Sequence, residues 1–545
     1  MYYSNDRSEN LLEKWVNMKS NFIKYIFIVF VIGIMAFAVY KIKSDEDSKN
    51  QTQNQTQEST KEAVREINLG IAEFDTINPI LSKNKNVQDI SKLIFEPLVD
   101  LSTDYKAEPC LAKEWAKQDT SYIIKLRDDV KWSTGDAFTA EDVRYTIDRL
   151  KDSSSIYSYN VQNVVSVDVI DSNTVKINLD KEVPFFEYNL TFPIMSQANY
   201  AGEDFSTSQK NQAPVGTGKY KILSVQDGSI TLDKNTNWWN IKNKNLLLEK
   251  INITKYASLG EMYNAFKIGN VDLISTDNTS LQEYIGKIGY APKEMKGREH
   301  TFLSLNIKNG FLSQTEVRQA ISYSIDKENI VSSIFNNKCY TSSFPLDYGS
   351  WVYQSQNASA GYNLEQAKQV LTDAGWIFRN KYWQKTVNYR TQKLTLNLLV
   401  KSGDNDLNSV ADNIKTQLEN QGIHINIVQA SDSQYVTMLN SGNYDIALCR
   451  MYLSPSPNIE TFFGDNNLAN YSNNEVSELM KEIKNTTDDA TIKKDYSRLV
   501  EIYKSDVPYI SLYTNKYNVA YNNSLTGNIN PNWFNSFYNV ESWSK

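Results

Sequence analysis

From Leu394 onward the chain alternates two periodicities that admit few folds. Leu394, Leu396, Leu398 and Val400 fall at every second position, as on a strand. An amphipathic stretch Ser409–Asn420 follows and stops at Gly422. A strand at His424–Val428, a helix at Gln434–Asn440 and a strand at Tyr444–Leu448 come next. Strand, helix, strand, helix, strand in this order closes a parallel sheet through right-handed crossovers. Earlier segments read differently. Two antiparallel hairpins are predicted, Val164–Ile170 with Thr174–Leu179 about Asp171-Ser172-Asn173, and Tyr220–Val225 with Ser229–Asp233 about Asp227-Gly228. A chain of 545 residues that mixes parallel and antiparallel lobes predicts a multi-lobed α/β protein, with ligands bound in the clefts between lobes.

Several helices carry their own start signals. Thr139-Ala140-Glu141-Asp142 and Ser313-Gln314-Thr315-Glu316 read as capping boxes, and Ser258 with Glu261 and Asn363 with Gln366 repeat the spacing. Gly269 and Gly375 mark the ends of the last two.

The N-terminal region constrains location. Phe22–Tyr40 is apolar apart from Lys24 and would rise about 28 Å as a helix, close to the ~30 Å hydrocarbon thickness of a bilayer. Arg7, Lys14, Lys19 and Lys24 precede it, whereas Lys41 and Lys43 are met by Asp45, Glu46 and Asp47, which puts residues 1–21 in the cytoplasm and the rest outside. Ala36-Phe37-Ala38 has the small-x-small pattern of a cleavage site, but the long charged head and the immediate Lys41 favour an uncleaved single-pass anchor in the cell membrane. Residues 41–64 are polar and low in complexity, the composition of a tether.

Composition excludes other classes. With 57 basic and 64 acidic residues the chain has a net charge of −7 and no basic face for a nucleic acid. Cys110, Cys339 and Cys449 lie far apart, an odd count that leaves at least one thiol out of any intrachain bridge, and two histidines, His300 and His424, do not make a short-spaced metal site. His424 alternates within an apolar strand, which predicts a satisfied sheet residue; His300, in a polar run, is expected to be exposed or pocket-lining. No metal or cofactor is implied. No nucleophile elbow, zinc-protease helix or phosphate loop is present, which argues against an enzyme.

A series of collinear motifs then narrows the reading. Ile94-Phe95-Glu96-Pro97-Leu98-Val99 is followed by Pro109-Cys110-Leu111-Ala112 and Trp115. Leu126-Arg127, Val130-Lys131-Trp132, Gly135, Phe138-Thr139-Ala140 and Asp142-Val143 form the most specific block. Val215-Gly216-Thr217-Gly218, Asn235 with Trp238-Trp239, Gly269 with Val271-Asp272, Val317-Arg318 and Tyr362–Trp376 continue the order. This order resembles the extracytoplasmic solute-binding proteins of ABC importers, in the family that includes oligopeptide- and dipeptide-binding proteins. The resemblance implies a periplasmic-binding-protein-like α/β fold with an extra inserted lobe and two large lobes that meet at a hinge and an interlobe ligand cleft. It places residues 65–100, 206–305 and 511–545 in the first lobe, 101–205 in the insertion and 306–510 in the third lobe. It implies delivery of a small solute, by default a peptide, to permease and ATPase subunits, or a sensor that uses the same fold.

The resemblance also points to three pocket segments: Glu73–Asn78, Ser275–Asn278 and Cys449–Asn458. Members that grip a peptide amine carry an aspartate in the third, whereas Leu453-Ser454-Pro455-Ser456-Pro457-Asn458 has no carboxylate, which opens a non-peptide reading such as an acidic solute or a metal chelate. The candidate ligand contacts are Glu73, Phe74, Asp277, Arg450, Met451, Tyr452, Ser454, Asn458, Trp238 and Trp239. Arg450 can hold a carboxylate or phosphate through two parallel hydrogen bonds, or serve as a surface or hinge ion pair. Tyr452, Trp238 and Trp239 can stack on a ligand, and the two tryptophans can equally pack a lobe. Glu73 and Asp277 can receive a cation or be solvated loop carboxylates.

Overall fold

Ten strands, β1 (Glu66–Ala72), β2 (Tyr220–Gln226), β3 (Ser229–Lys234), β4 (Lys250–Tyr256), β5 (Leu273–Thr276), β6 (Tyr290–Leu305), β7 (Thr395–Lys401), β8 (His424–Ala430), β9 (Ile446–Tyr452) and β10 (Tyr509–Asn522), form the path of one sheet in the order β8-β7-β9-β6-β10-β5-β1-β4-β3-β2. The short strand Cys339–Thr341 joins it by pairing with β10. The computed structural model describes residues 65–72, 75–226, 229–276, 289–346, 349–353 and 361–545. The expected anchor Phe22–Tyr40 and its tether lie outside them. Among the described residues no helix is long and apolar enough to cross a membrane.

The predicted parallel unit is present. β7 pairs in parallel with β8 and β9, and the helices Asn405–Asn420 and Asp432–Ser441 make the crossovers. The first helix starts four residues earlier than its apolar pattern indicates because Asp404 caps it, its carboxylate accepting from the Leu407 amide. Leu396, Leu398 and Val400 face one apolar core and Leu399 the other, so both faces of the sheet are covered. Each such buried leucine stabilises the lobe by about 1.5–3 kcal/mol.

A separate antiparallel sheet orders Ala112–Gln118, Ser121–Leu126, Thr174–Leu179 and Val164–Asp171. It shares one apolar core with β1, β3 and β4. The capping box at Thr139, the Ser258 cap and the Asn363 cap form as read. Ser313 does not cap its helix, which runs Thr315–Ser324 from Gln314. Asn309 already binds the Phe311 and Leu312 amides, and the Ser313 hydroxyl turns back to the Gly310 carbonyl.

β6 and β10 are the longest strands and run through both halves of the sheet. Tyr290–Lys296 pairs with Lys516–Asn522 beside β5, whereas Glu299–Leu305 pairs with β9 on its other edge. The register slips between Lys296 and His300. At the slip a Cβ on Gly297 would stand 2.0 Å from the Asn515 side-chain oxygen, which itself accepts from the Glu299 amide at 3.1 Å. A side chain at position 297 would thus displace the Asn515 amide from the bulge. The two-lobed fold thus has its halves joined by two hydrogen-bonded crossing strands with a local irregularity between them.

Candidate ligand-binding site

The family-like motifs themselves converge on a structural knot. Glu96 is buried, and its carboxylate accepts from the Trp238 indole at 2.8 Å and from Trp239 at 3.1 and 3.2 Å. Burial raises its pKa. Gly216 and Gly218 lie against Ile94, where a Cβ on Gly216 would meet the Ile94 carbonyl at 1.9 Å, and Asn235 donates to the Gly218 carbonyl. Arg127 caps the cluster with its guanidinium 3.8 Å from the Trp239 ring centre. Trp238 and Trp239 are thus engaged within the first half of the sheet. They follow β3, six strand spacings from β9, a separation of about 29 Å. The structure does not bring them together with Arg450.

A second group gathers at the crossing strands and at the C-terminal ends of β7 and β9, where open α/β sheets bind ligands. Arg450, Met451 and Tyr452 are on β9 itself, which runs past the predicted end at Leu448. Arg450 Nη1 donates to Asp404 Oδ2 at 2.9 Å, and its Nε is 3.5 Å from Glu299 Oε1. In register, Thr301 of β6 faces Arg450 on one side and Tyr513 of β10 on the other. Burial disfavours the Arg450 cation but is outweighed by Tyr513, Glu299 and Asp404, so its pKa is raised. The ion-pair alternative for Arg450 is therefore realised across the crossing.

Met451 pairs with His300 and packs on the second core, while Tyr452 is exposed opposite Glu299. Beyond the strand, the Leu453 amide donates to the Arg298 carbonyl at 2.9 Å. Ser454 is exposed, and its hydroxyl accepts from the Ser456 amide. Asn458, two residues before the short helix Glu460–Phe463 begins, accepts through its side chain from the Glu460 amide.

Sequence reasoning missed the residues that surround this point. Arg298 is only 2 % exposed and lies 5.0 Å from the Trp533 ring centre and 5.9 Å from that of Tyr105. These partners come from the C-terminal loop and from the turn before the inserted sheet. Nearby, buried Asp89 pairs with Lys85 and accepts from Ser275 at 2.7 Å and Ser536 at 3.2 Å. Lys85 in turn lies 5.4 and 5.5 Å from the Tyr517 and Trp533 ring centres. The start of the expected Ser275–Asn278 segment thus reaches the same group. Asp75, in the loop after β1, is also close, accepting from Ser82 and Lys83 just before the helix Lys85–Ile94. Glu73, Phe74 and Asp277 lie outside the described residues.

His300 corrects its expectation. It is neither exposed nor pocket-lining but fully buried in β6 and stacked on Phe302 with ring centres 5.4 Å apart. Burial pushes its pKa down to about 3, so it stays neutral. His424 sits in β8 with Nδ1 3.0 Å from Glu419. Cys110, Cys339 and Cys449 are all free thiols. A cavity of about 460 Å³ at the opposite ends of β7 and β9 is lined by Asn306, Asn309, Asn397 and Asp445, whose polar groups largely bind one another.

Comparison with known proteins agrees with this architecture. Residues 106–470 match the family described as bacterial extracellular solute-binding proteins, family 5. The chain is 25% identical over 469 residues to heme-binding protein A of Haemophilus influenzae, covering 77% of this chain and 81% of that protein. It is 22% identical over 500 residues to the oligopeptide-binding protein AppA of Bacillus subtilis, covering 87% and 90%. The structure of HbpA2 from Haemophilus parasuis superposes with a TM-score of 0.73 at 20% identity, over 87% of this chain and 98% of that one. With two thirds of its length matched and the fold shared, the chain belongs to the bacterial extracellular solute-binding proteins of family 5, whose members bind solutes for ABC transporters and are not enzymes.

Proposed function

We propose that this protein is a membrane-anchored receptor that captures a peptide or a related small solute outside the cell and delivers it to an ABC permease by closing its two lobes. The observation that carries the reading is the placement of Arg298. It stands at the register slip of the crossing strands, between Trp533 and Tyr105, with Leu453 tied to its backbone. Arg298 is covered in this closed arrangement, so parting of the two halves would uncover it, and a solute that then bridges the halves would bias the angle between them. The aromatic rings and the cations Arg298, Lys85 and Arg450 suit a planar or acidic solute. The Leu453–Asn458 run offers no carboxylate to a peptide amine. Relatives named for heme and for oligopeptides support both solute types.

The reading is tested on residues 65–545, which form one compact unit. Thermal-shift screening against peptides, heme, glutathione and metal chelates is expected to find a solute that raises the melting temperature and compacts the protein in solution scattering. A solute that binds without compaction would defeat the closure mechanism. Intact-mass measurement on membrane fractions tests the anchor, and a mature chain that starts near Val39 would overturn it.

A further inference from the structure

A region far from the crossing strands has a chemistry of its own. Between Asp373 and Asp404 the sequence has no Asp or Glu but carries Arg379, Lys381, Lys385, Arg390, Lys393 and Lys401, in a chain whose net charge is −7. Arg379, Lys385, Arg390 and Lys393 are on a small antiparallel sheet of Ile377–Arg379, Tyr382–Val387 and Arg390–Lys393, and Lys381 is in the turn between its first two strands. Its root is packed: Trp383 is buried and donates to the Gln421 carbonyl, the Leu394 amide closes onto the Trp383 carbonyl, and one side of Phe378 rests on Trp383 and Gly422. Every residue of Arg390–Lys393 is exposed. Arg379, Lys381 and Arg390 have no ion-pair partner among the described residues. Lys385 donates to Gln314, and Lys393 lies over the Tyr382 ring, so neither charge is neutralised by a carboxylate.

Apart from Trp383 and Tyr382, the large apolar groups of this sheet keep about half or more of their surface exposed. Ile377, Phe378 and Val387 are 67, 54 and 45 % exposed, and Tyr389, at the tip of the longer hairpin, is fully exposed. Asn388 and Tyr389 have φ values of 50° and 63°. Such a turn favours Asn followed by Gly, so a bulky ring at its second position does not serve the fold. Cations interleaved with exposed aromatic and aliphatic side chains are the composition that binds the interface of an anionic bilayer, where rings enter the headgroup layer and the charges meet phosphate.

We propose that this three-stranded sheet is a docking surface for anionic phospholipid. It adjoins the N-terminal end of β7, whereas Asp404 and Arg450 mark the C-terminal end, and seven strand residues separate the two by about 23 Å. A body resting on this sheet leaves its ligand cleft open to solvent, the posture of a receptor awaiting its solute. The inference goes beyond the receptor reading. The choice of lipid over other polyanions rests on the proposed membrane anchor, because the bilayer is then the nearest extended anionic surface.

The test is co-sedimentation of residues 65–545 with vesicles of phosphatidylcholine alone and of a phosphatidylcholine–phosphatidylglycerol mixture. Without the anchor segment, its failure is distinct from failure of the mass measurement. Partition onto the mixed vesicles is expected to exceed that onto phosphatidylcholine by roughly tenfold and to fall with salt. The combined variant Arg379→Gln, Lys381→Gln and Arg390→Gln is expected to abolish the difference, and Tyr389→Ser to weaken it by about threefold. All four side chains are solvent-exposed, so an unchanged melting temperature verifies that the variants fold. Equal partition onto both vesicles, or unaltered binding by the triple variant, would overturn the proposal. So would equal capture by soluble polyphosphate with no effect of Tyr389→Ser, which would mark a general polyanion site.

Discussion

Arg450 on β9 and Asp404 at the head of the helix Asn405–Asn420 meet at 2.9 Å, with side chains 24% and 26% exposed, and Glu299 closes the group from the crossing strand. One cation thus holds two carboxylates beside the crossing strands. Arg450→Ala leaves those carboxylates facing each other and is expected to cost about 1–2 kcal/mol of stability in chemical denaturation, with a coupling of about 1 kcal/mol to Asp404→Ala in a double-mutant cycle. The same substitution is expected to weaken an acidic solute by more than about tenfold, ~1.4 kcal/mol. Unaltered affinity would leave Arg450 as an ion pair of the crossing alone.

Gly297 is the tightest point of the crossing. Gly297→Ala places a methyl where the Asn515 amide now sits, so the bulge must open or Asn515 must give up the Glu299 amide. A loss of about 1–3 kcal/mol is expected, partly restored by Asn515→Ala. Full stability of the single variant, followed by melting temperature, would show that the slip tolerates a side chain.

The knot at Glu96 is expected to affect folding without affecting binding. Glu96→Ala strands the Trp238 indole, which is buried, and that of Trp239, at a cost of about 1–3 kcal/mol for each unsatisfied donor, whereas Glu96→Gln keeps an acceptor and costs less. Solute affinity of the folded variants, read by calorimetry, is expected to match the parent because Arg298 and Arg450 lie on the other side of β1 and β5 in the sheet.

Acid is expected to strengthen the fold through Glu187. Burial raises its pKa to about 7, above the ordinary value of a glutamate. Because the folded value is the higher one, its favourable contribution is complete below the unfolded pKa and disappears as pH rises through about 7. By pH 8 the loss is at most about 3 kcal/mol. Denaturation midpoints measured from pH 5 to 8 are expected to fall for the parent and to fall less for Glu187→Gln; parallel curves would assign the titration elsewhere.

The parallel lobe was legible because each of its elements carries its own period and stop signal: alternation at Leu394–Val400, Gly422 after the first helix. Fold membership was legible from motifs such as Glu96-Pro97 and Gly216-Thr217-Gly218, and in the structure those motifs pack against one another. The site was less legible. Arg298 lies 155 residues beyond the Asp142-Val143 motif and 235 before Trp533, and only strand crossing brings it to Tyr105 and Trp533. His300 was misread for a similar reason: its polar neighbours in sequence point away, and its ring meets Phe302 and the core. The length of β9 escaped because Arg450 and Tyr452 interrupt the apolar run that marks a buried strand.

Because β6 and β10 are bonded to each other along nearly their whole course, the two halves of the sheet share a woven spine rather than a pair of loose leashes. Sliding one half past the other would unzip that ladder, whereas flexing at the Lys296–His300 slip would not. A single proteolytic nick within Gly297–Glu299 would leave both halves still laced together through β10.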